Sequence, residues 1–245
     1  MTAILIFFIA HWYLSLFSQT FFLHRYAAHK MFAMSSFWEK FFFVFNNVTQ
    51  GSSYLSPYVY GILHRMHHAY ADTDQDPHSP KHSSTAIGMF LKTWGIYNGI
   101  KTEKFAVEER FKKDVPQWHS FDLMADSWIT RLLWAAVYVL FYLYFVPAGK
   151  EWLYLLLPFH FFMGPLHGVI INWFGHKMGY INFKVNNTSV NMLPIDLLMM
   201  GEGLHNNHHE HPSEINFGSK WYEFDPAYPV IVLMRWMGIV KVDVY

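Results

Sequence analysis

Three long apolar runs alternate along the chain with polar stretches rich in charge and histidine. Residues 3–23 (AILIFFIAHWYLSLFSQTFFL), 128–147 (WITRLLWAAVYVLFYLYFVP) and 152–174 (WLYLLLPFHFFMGPLHGVIINWF) are the runs. Each approaches the ~20 residues that carry a helix across a bilayer core. The first holds His11 and a Ser-Gln-Thr patch, which makes a secretory leader its alternative. Neither a basic segment before it nor a small-residue cleavage site supports a leader. Two further apolar stretches, FFFVF at 41–45 and PVIVLMRWMGIV at 229–240, are too short to cross, and the second carries Arg235. They are expected as interfacial or re-entrant helices.

Composition supports this pattern. Hydrophobic residues make up 53% of the 245 positions and charged residues only 15%, against about 25% charged in an ordinary soluble domain. Net charge is zero, which gives a nucleic-acid partner no electrostatic support. Eleven Lys and Arg fall between residues 24 and 127 and five after residue 174, whereas the loop between the second and third runs has Lys150 alone. By the positive-inside rule, 24–127 and 175–245 lie on the cytoplasmic side. The expected architecture is an all-α integral membrane protein, one domain over 1–245, with three spans and a cytoplasmic helical cap.

Histidine is where the chemistry concentrates. Nine of the 16 histidines fall in four boxes. HRYAAH holds His24 and His29, HRMHH holds His64, His67 and His68, NWFGH pairs Asn172 with His176, and HNNHH holds His205, His208 and His209. At about 100° per residue, positions i, i+3 and i+4 share one helix face, so each H-x-x-H-H presents three imidazoles to one point. Asn172 and His176 share a face in the same way. His24 and His29 would lie about 140° apart on an α-helix, so they serve a site where the helix ends, or two different metals. His11, His160 and His167 stand singly on apolar faces and are read as satisfied core histidines.

The chain has no cysteine, so a metal must be held by imidazole, carboxylate or amide. Nine imidazoles exceed the capacity of one ion, which points to two. Closed structural zinc usually uses thiolates, whereas imidazole suits iron and copper alike. Metal-bound imidazoles donate their other N–H to a carboxylate or carbonyl, which makes Asp72, Asp76 and Glu202 the expected supporting acids. Taken singly, each is nearly as well read as a solvated acid near a helix end. Residues 103–114 (EKFAVEERFKKD) have opposite charges at helical spacing and are expected as a solvated helix.

The four boxes, the run HRMHHAYADTDQDPHSP with its D-P-H, and the G-E-G of GEGLHNNHHEHP resemble the membrane-bound fatty acid desaturases, most closely the acyl-CoA Δ9 (stearoyl-CoA) type. The resemblance spans essentially the whole chain and keeps the order of the boxes. It implies a di-iron enzyme that uses O2 and two electrons to introduce a cis double bond into a fatty acyl chain. It also implies that the nine boxed histidines are iron ligands, with Asn172 reaching one iron through water. The implied partners are a fatty acyl substrate on CoA or a lipid, and an external electron carrier such as cytochrome b5 or ferredoxin with its reductase. The family has two spans before the first box, where this chain has room for one, which affects the expected acyl tunnel wall. A membrane lipid hydroxylase or ketolase is the neighbouring alternative. A non-enzymatic metal-binding or transport protein is the more distant one, and ligands clustered at one membrane face argue against a transport path.

Overall fold

The computed structural model describes residues 1–242; the last three residues of the expected C-terminal cytoplasmic region lie outside them. It is mostly helical. The first apolar run forms α1 (Thr2–Phe17), which continues without a break as a π-helical segment (Ser18–Ala28). The helices that follow are α2 (Ser36–Gln50), α3 (Pro57–Tyr70), α4 (Ala86–Lys101), α5 (Glu109–Lys112), α6 (His119–Ala125), α7 (Trp128–Phe145), α8 (Leu157–Phe161), α9 (Met163–Phe174), α10 (His205–Glu210) and α11 (Ala227–Trp236). A two-residue antiparallel pair, β1 (Ala33–Met34) with β2 (Val240–Lys241), joins the two ends of the polar region.

Local chemistry sets several of these boundaries. Pro57 opens α3, where its missing N–H costs nothing. Thr85 caps α4 by accepting from Gly88 N at 3.0 Å, and Ser127 caps α7 by accepting from Thr130 N at 3.2 Å. Arg131, one turn into α7, donates to Ser52 O (2.6 Å) and Tyr54 O (2.7 Å) and pairs with Asp126. That clamp fixes the end of the apolar helix against the polar region.

Among the described residues, Thr2–Ala28 and Trp128–Phe145 are long and apolar enough to cross a membrane. The third run is apolar enough to count as a third span only as a bent pair: Glu151–Phe161 and Met163–Phe174 meet at a 75° bend. The helix breaks at Phe162 and restarts through Met163-Gly164-Pro165, where proline lacks the N–H that would continue the earlier turn. Residues 103–114 depart from expectation, since only Glu109–Lys112 is helical and Glu103 sits at φ 57. Phe111 is buried there, so the segment is an anchored strap rather than a solvated helix. The C-terminal apolar stretch ends its helix at Trp236 and then turns at Gly238 into β2.

One large core joins the π-helical segment to α2 and α3 through Phe21, Phe22, Phe42, Phe43, Ile62 and Leu63, and Leu204 and Phe217 close it from the C-terminal half. This packing sets the first, second and last histidine boxes against one another. A smaller cluster of Ile4, Tyr142 and Leu153 ties α1 to α7 at the far end.

Candidate metal centre

The π-helical segment determines where the first box points. In an i→i+5 helix, residues five apart stack over one another. His29 N donates to His24 O at 3.1 Å, a hydrogen bond of that register. The two rings therefore meet, with centroids 5.0 Å apart, and join one group, not two different metals. The 140° separation expected of an α-helix does not apply.

α3 brings His64, His67 and His68 to the same place, and α10 brings His205, His208 and His209. Asn172 lies on α9, but that helix ends at Phe174, so His176 sits in the turn beyond it instead of one turn further along the helix. The nine boxed histidines sort into two groups whose ring nitrogens lie within 4.8 Å of one another: His24, His29, His64, His68 and His208, and His67, His176, His205 and His209. Asn172 lines the wall of the adjacent cavity together with His64 and His205.

The nitrogens that converge are all Nε2. In the first group His64 Nε2 is 2.8 Å from His29 Nε2 and 3.0 Å from His68 Nε2, and His208 Nε2 is 2.9 Å from His24 Nε2 and 3.0 Å from His68 Nε2. In the second, His205 Nε2 is 3.1 Å from His176 Nε2 and 3.0 Å from His209 Nε2, which is 3.2 Å from His67 Nε2. A ring nitrogen offers one in-plane direction and serves one hydrogen bond. Nitrogens shared between two neighbours are frustrated as a hydrogen-bond network. A central cation bonded to each lone pair at ~2.1 Å removes the conflict. The residues therefore fit two metal ions.

The outer nitrogens carry the complementary information. His67 Nδ1 lies 3.0 Å from both oxygens of Asp76, which also accepts from Asp72 N and His78 N. His176 Nδ1 meets Thr188 Oγ1 at 3.2 Å, with Asp72 Oδ2 farther off at 3.9 Å. Glu202 Oε2 is 2.6 Å from His24 Nδ1, a close contact rather than an aligned hydrogen bond. Protons held on these Nδ1 atoms leave Nε2 free to bind metal. Among the described residues, His205 and His208 have no partner at Nδ1. The three acids are thus buried beside the rings, Asp72 mainly through Ser79 and Thr188 and the other two directly.

Arg25 completes the acid network and escaped the sequence reading. Its guanidinium, fully buried, pairs with Asp225 at 2.7 Å and Glu202 at 3.2 Å, touches Thr20, and lies 3.7 Å over the Phe217 ring. The G-E-G motif makes room for this: Gly201 has φ 91, and a Cβ there would come within 2.2 Å of Asp225 Oδ1. His78 was also missed as a site residue, although D-P-H contains it. Its ring lies 4.3 Å from that of His67, tilted by 34°; its Nε2 has no partner among the described residues, and with His67 and Asp76 it forms a third possible ligand group.

Electrostatics favours neutral rings at seven of the boxed histidines and ionised Asp76 and Glu202. Burial, reinforced by neighbouring imidazoles, holds His29, His64, His68, His205, His208 and His209 well below the ordinary histidine value. Burial and His67 bring His176 down to about 3, and burial brings His78 to about 3. Burial alone would raise Asp76 and Glu202, but His67 outweighs it for Asp76, and His24 with Arg25 outweighs it for Glu202, so both sit below the usual carboxylate range. Neutral imidazoles beside fixed carboxylates are a cation's coordination shell.

Beside the groups runs a cavity with largely apolar walls, lined by Leu16, Leu63, Phe90, Val169, Ile171 and Met199, with His64, His205, Asn172 and Glu202 also on its wall.

A family model described as fatty acid desaturase matches residues 1–233. The acyl-CoA C20 Δ5-desaturase of Anemone leveillei is 26% identical over 227 residues, covering 91% of this chain and 68% of its own. The Δ9 desaturase-like 5 protein of Arabidopsis thaliana is 28% identical over 231 residues, covering 91% and 70%. The sn-1 stearoyl-lipid 9-desaturase of Synechocystis is 28% identical over 220 residues, covering 89% and 64%. The chain belongs to the fatty acid desaturase family and is an oxidoreductase.

Proposed function

We propose that the protein is an O2-dependent acyl desaturase of the Δ9 type, working at a di-iron centre held by the nine boxed histidines, with Asn172 at a water-bridged position. The observation that carries this reading is the convergence of nine Nε2 atoms in two groups beside an apolar cavity. Two irons, when bound, would supply the oxidising power by which O2, two electrons and two protons remove two hydrogens from adjacent methylenes, leaving a cis double bond and two waters.

The chain's own residues do the rest. The imidazoles hold the ions, and Asp76 and Glu202 fix the ring orientation of His67 and His24. Leu16, Leu63, Phe90, Val169 and Met199 bury the acyl chain and exclude water from it. Asn172, a neutral amide among imidazoles, is a weaker ligand and leaves its position exchangeable, as an open catalytic site requires.

Family membership and the apolar helices support membrane association. The distribution of Lys and Arg supports a histidine face on the cytoplasmic side, where an external carrier such as cytochrome b5 or ferredoxin, with its reductase, delivers electrons. One domain over 1–245 suits a site assembled from the π-helical segment, α3, the turn after α9 and α10.

Expression in a host that lacks the activity, followed by fatty-acid analysis, tests the reading. A new cis-monounsaturated chain is expected, and its double-bond position and length define the specificity. A hydroxylated or keto product with no alkene would replace desaturase by lipid hydroxylase or ketolase.

A further inference from the structure

Several polar side chains break the apolar cavity wall away from the metal groups. The Thr93 and Tyr97 hydroxyls are hydrogen-bonded within the protein, and Tyr60 lies beside Gln19. Gln19 on the π-helical segment and His167 on α9 keep polar atoms to spare. Both are buried, His167 completely and Gln19 to 6% exposure. Among the described residues, neither ring nitrogen of His167 has a hydrogen-bond partner, and neither does Gln19 Oε1. Both line the same cavity, and Gln19 packs against the turn of α9 that carries His167: a Cβ on Gly168, the next residue, would lie 3.8 Å from Gln19 Nε2. His167 is therefore not the satisfied core histidine that its sequence setting suggests. His160, one element earlier, is: Tyr142 Oη lies 2.9 Å from its Nε2, and its Nδ1 is 2.6 Å from His11 Nδ1. Trp12 touches the His167 ring edge-on at 4.5 Å and offers no lone pair.

A neutral imidazole has one N–H and one lone pair, so in either tautomer His167 leaves one donor and one acceptor idle. Gln19 adds an idle acceptor. Buried polar groups left unpaired are destabilising, and a slot meant only for methylenes gains nothing from them. A hydroxyl group, which donates one hydrogen bond and accepts others, matches what is idle.

We propose that the acyl chain accepted by this cavity carries a hydroxyl group, bound by His167 and Gln19, several carbons from the reacting carbons. The inference rests on the cavity being the acyl slot of a desaturase. Five residues of α9 separate His167 from Asn172, a rise of about 7.5 Å. The hydroxyl therefore sits several carbons away from those that react. Sites built to hydrogen-bond a substrate hydroxyl discriminate strongly against the analogue without it.

The test supplies a desaturase-deficient host expressing the protein with octadecanoic acid and an equimolar monohydroxyoctadecanoic acid, the hydroxyl moved one carbon at a time. The readout is the ratio of unsaturated hydroxy product to unsaturated plain product. The expected result is a preference of about tenfold or more for one or two adjacent positions. His167→Leu should bring that ratio to near one, with Gln19→Leu intermediate. Purified His167→Leu should also melt at or above the wild-type temperature, because it removes unpaired polar atoms. If His167→Leu does not accumulate, the same ratio is read in Gln19→Leu. No preferred position in wild type, or a preference unchanged in the variants, overturns the proposal and leaves the pair holding a water. No unsaturated product from any chain, octadecanoic acid included, overturns the desaturase reading itself and this inference with it.

Discussion

Two sets of histidines are equally buried in this protein and have opposite arrangements. His67, His205 and His208 are 0–1% exposed, as are His160 and His167. In the apolar bundle, His160 finds one partner for each nitrogen, and the pair with His11 and Tyr142 staples α8 to α1 and α7. In the boxed set the Nε2 atoms face one another in groups of five and four, and carboxylates or a hydroxyl approach the outer Nδ1 of His24, His67 and His176. Burial does not separate a metal ligand from a core histidine. The direction and sharing of ring nitrogens does.

The comparison breaks first if ligands from the two groups prove dispensable. His208→Ala and His209→Ala remove one ring from the five- and four-membered groups respectively, and each should abolish product while the protein remains in the membrane fraction. Wild-type turnover in either removes that group from the site. Asn172→Ala should come next, keeping most of its iron but losing most of its desaturation; Asn172→His should bind iron at least as well and still turn over slowly. Near-normal turnover in both makes Asn172 structural. Glu202→Gln and Asp76→Asn keep shape but weaken the anchors of His24 and His67, and iron affinity should fall about 10- to 100-fold.

Acid sharpens the contrast. Seven of the boxed histidines have folded-state pKa values below the ordinary 6.5, so the unfolded chain binds more protons there. Stability rises with pH wherever the unfolded state binds more protons. Melting of chelator-stripped protein should therefore be flat above about pH 7 and fall as pH drops below 6.5. Melting independent of pH from 7.5 to 5 would contradict the buried, neutral assignment. The smallest effect on chemistry belongs to His160→Ala, which strands His11 and Tyr142 and should cost about 1–3 kcal/mol of stability, with turnover per bound iron unchanged.

The H-x-x-H-H spacing was enough to place His64, His67 and His68, and His205, His208 and His209, because short helices present i, i+3 and i+4 together. The first box was not readable in that way, since the angle between His24 and His29 depends on a π-helical register that apolar periodicity does not encode. His176 lies past a helix end at Phe174, a boundary its spacing from Asn172 hides. Arg25 and His78 each became visible only when distant segments met, Arg25 against Asp225 and Glu202, His78 against His67. His167 looked like any histidine in an apolar run, and only the absence of partners among the described residues distinguishes it. The bend at Phe162 was signalled by Gly164-Pro165, but hydropathy averages over such a break.

The most direct test of the central claim is the metal content of the purified protein in detergent, measured per chain in wild type, His208→Ala, His209→Ala and His160→Ala. The account predicts two irons in wild type and in His160→Ala, and loss of iron in both boxed variants. One zinc per chain in wild type under loading conditions, or two irons retained in both boxed variants, would contradict it.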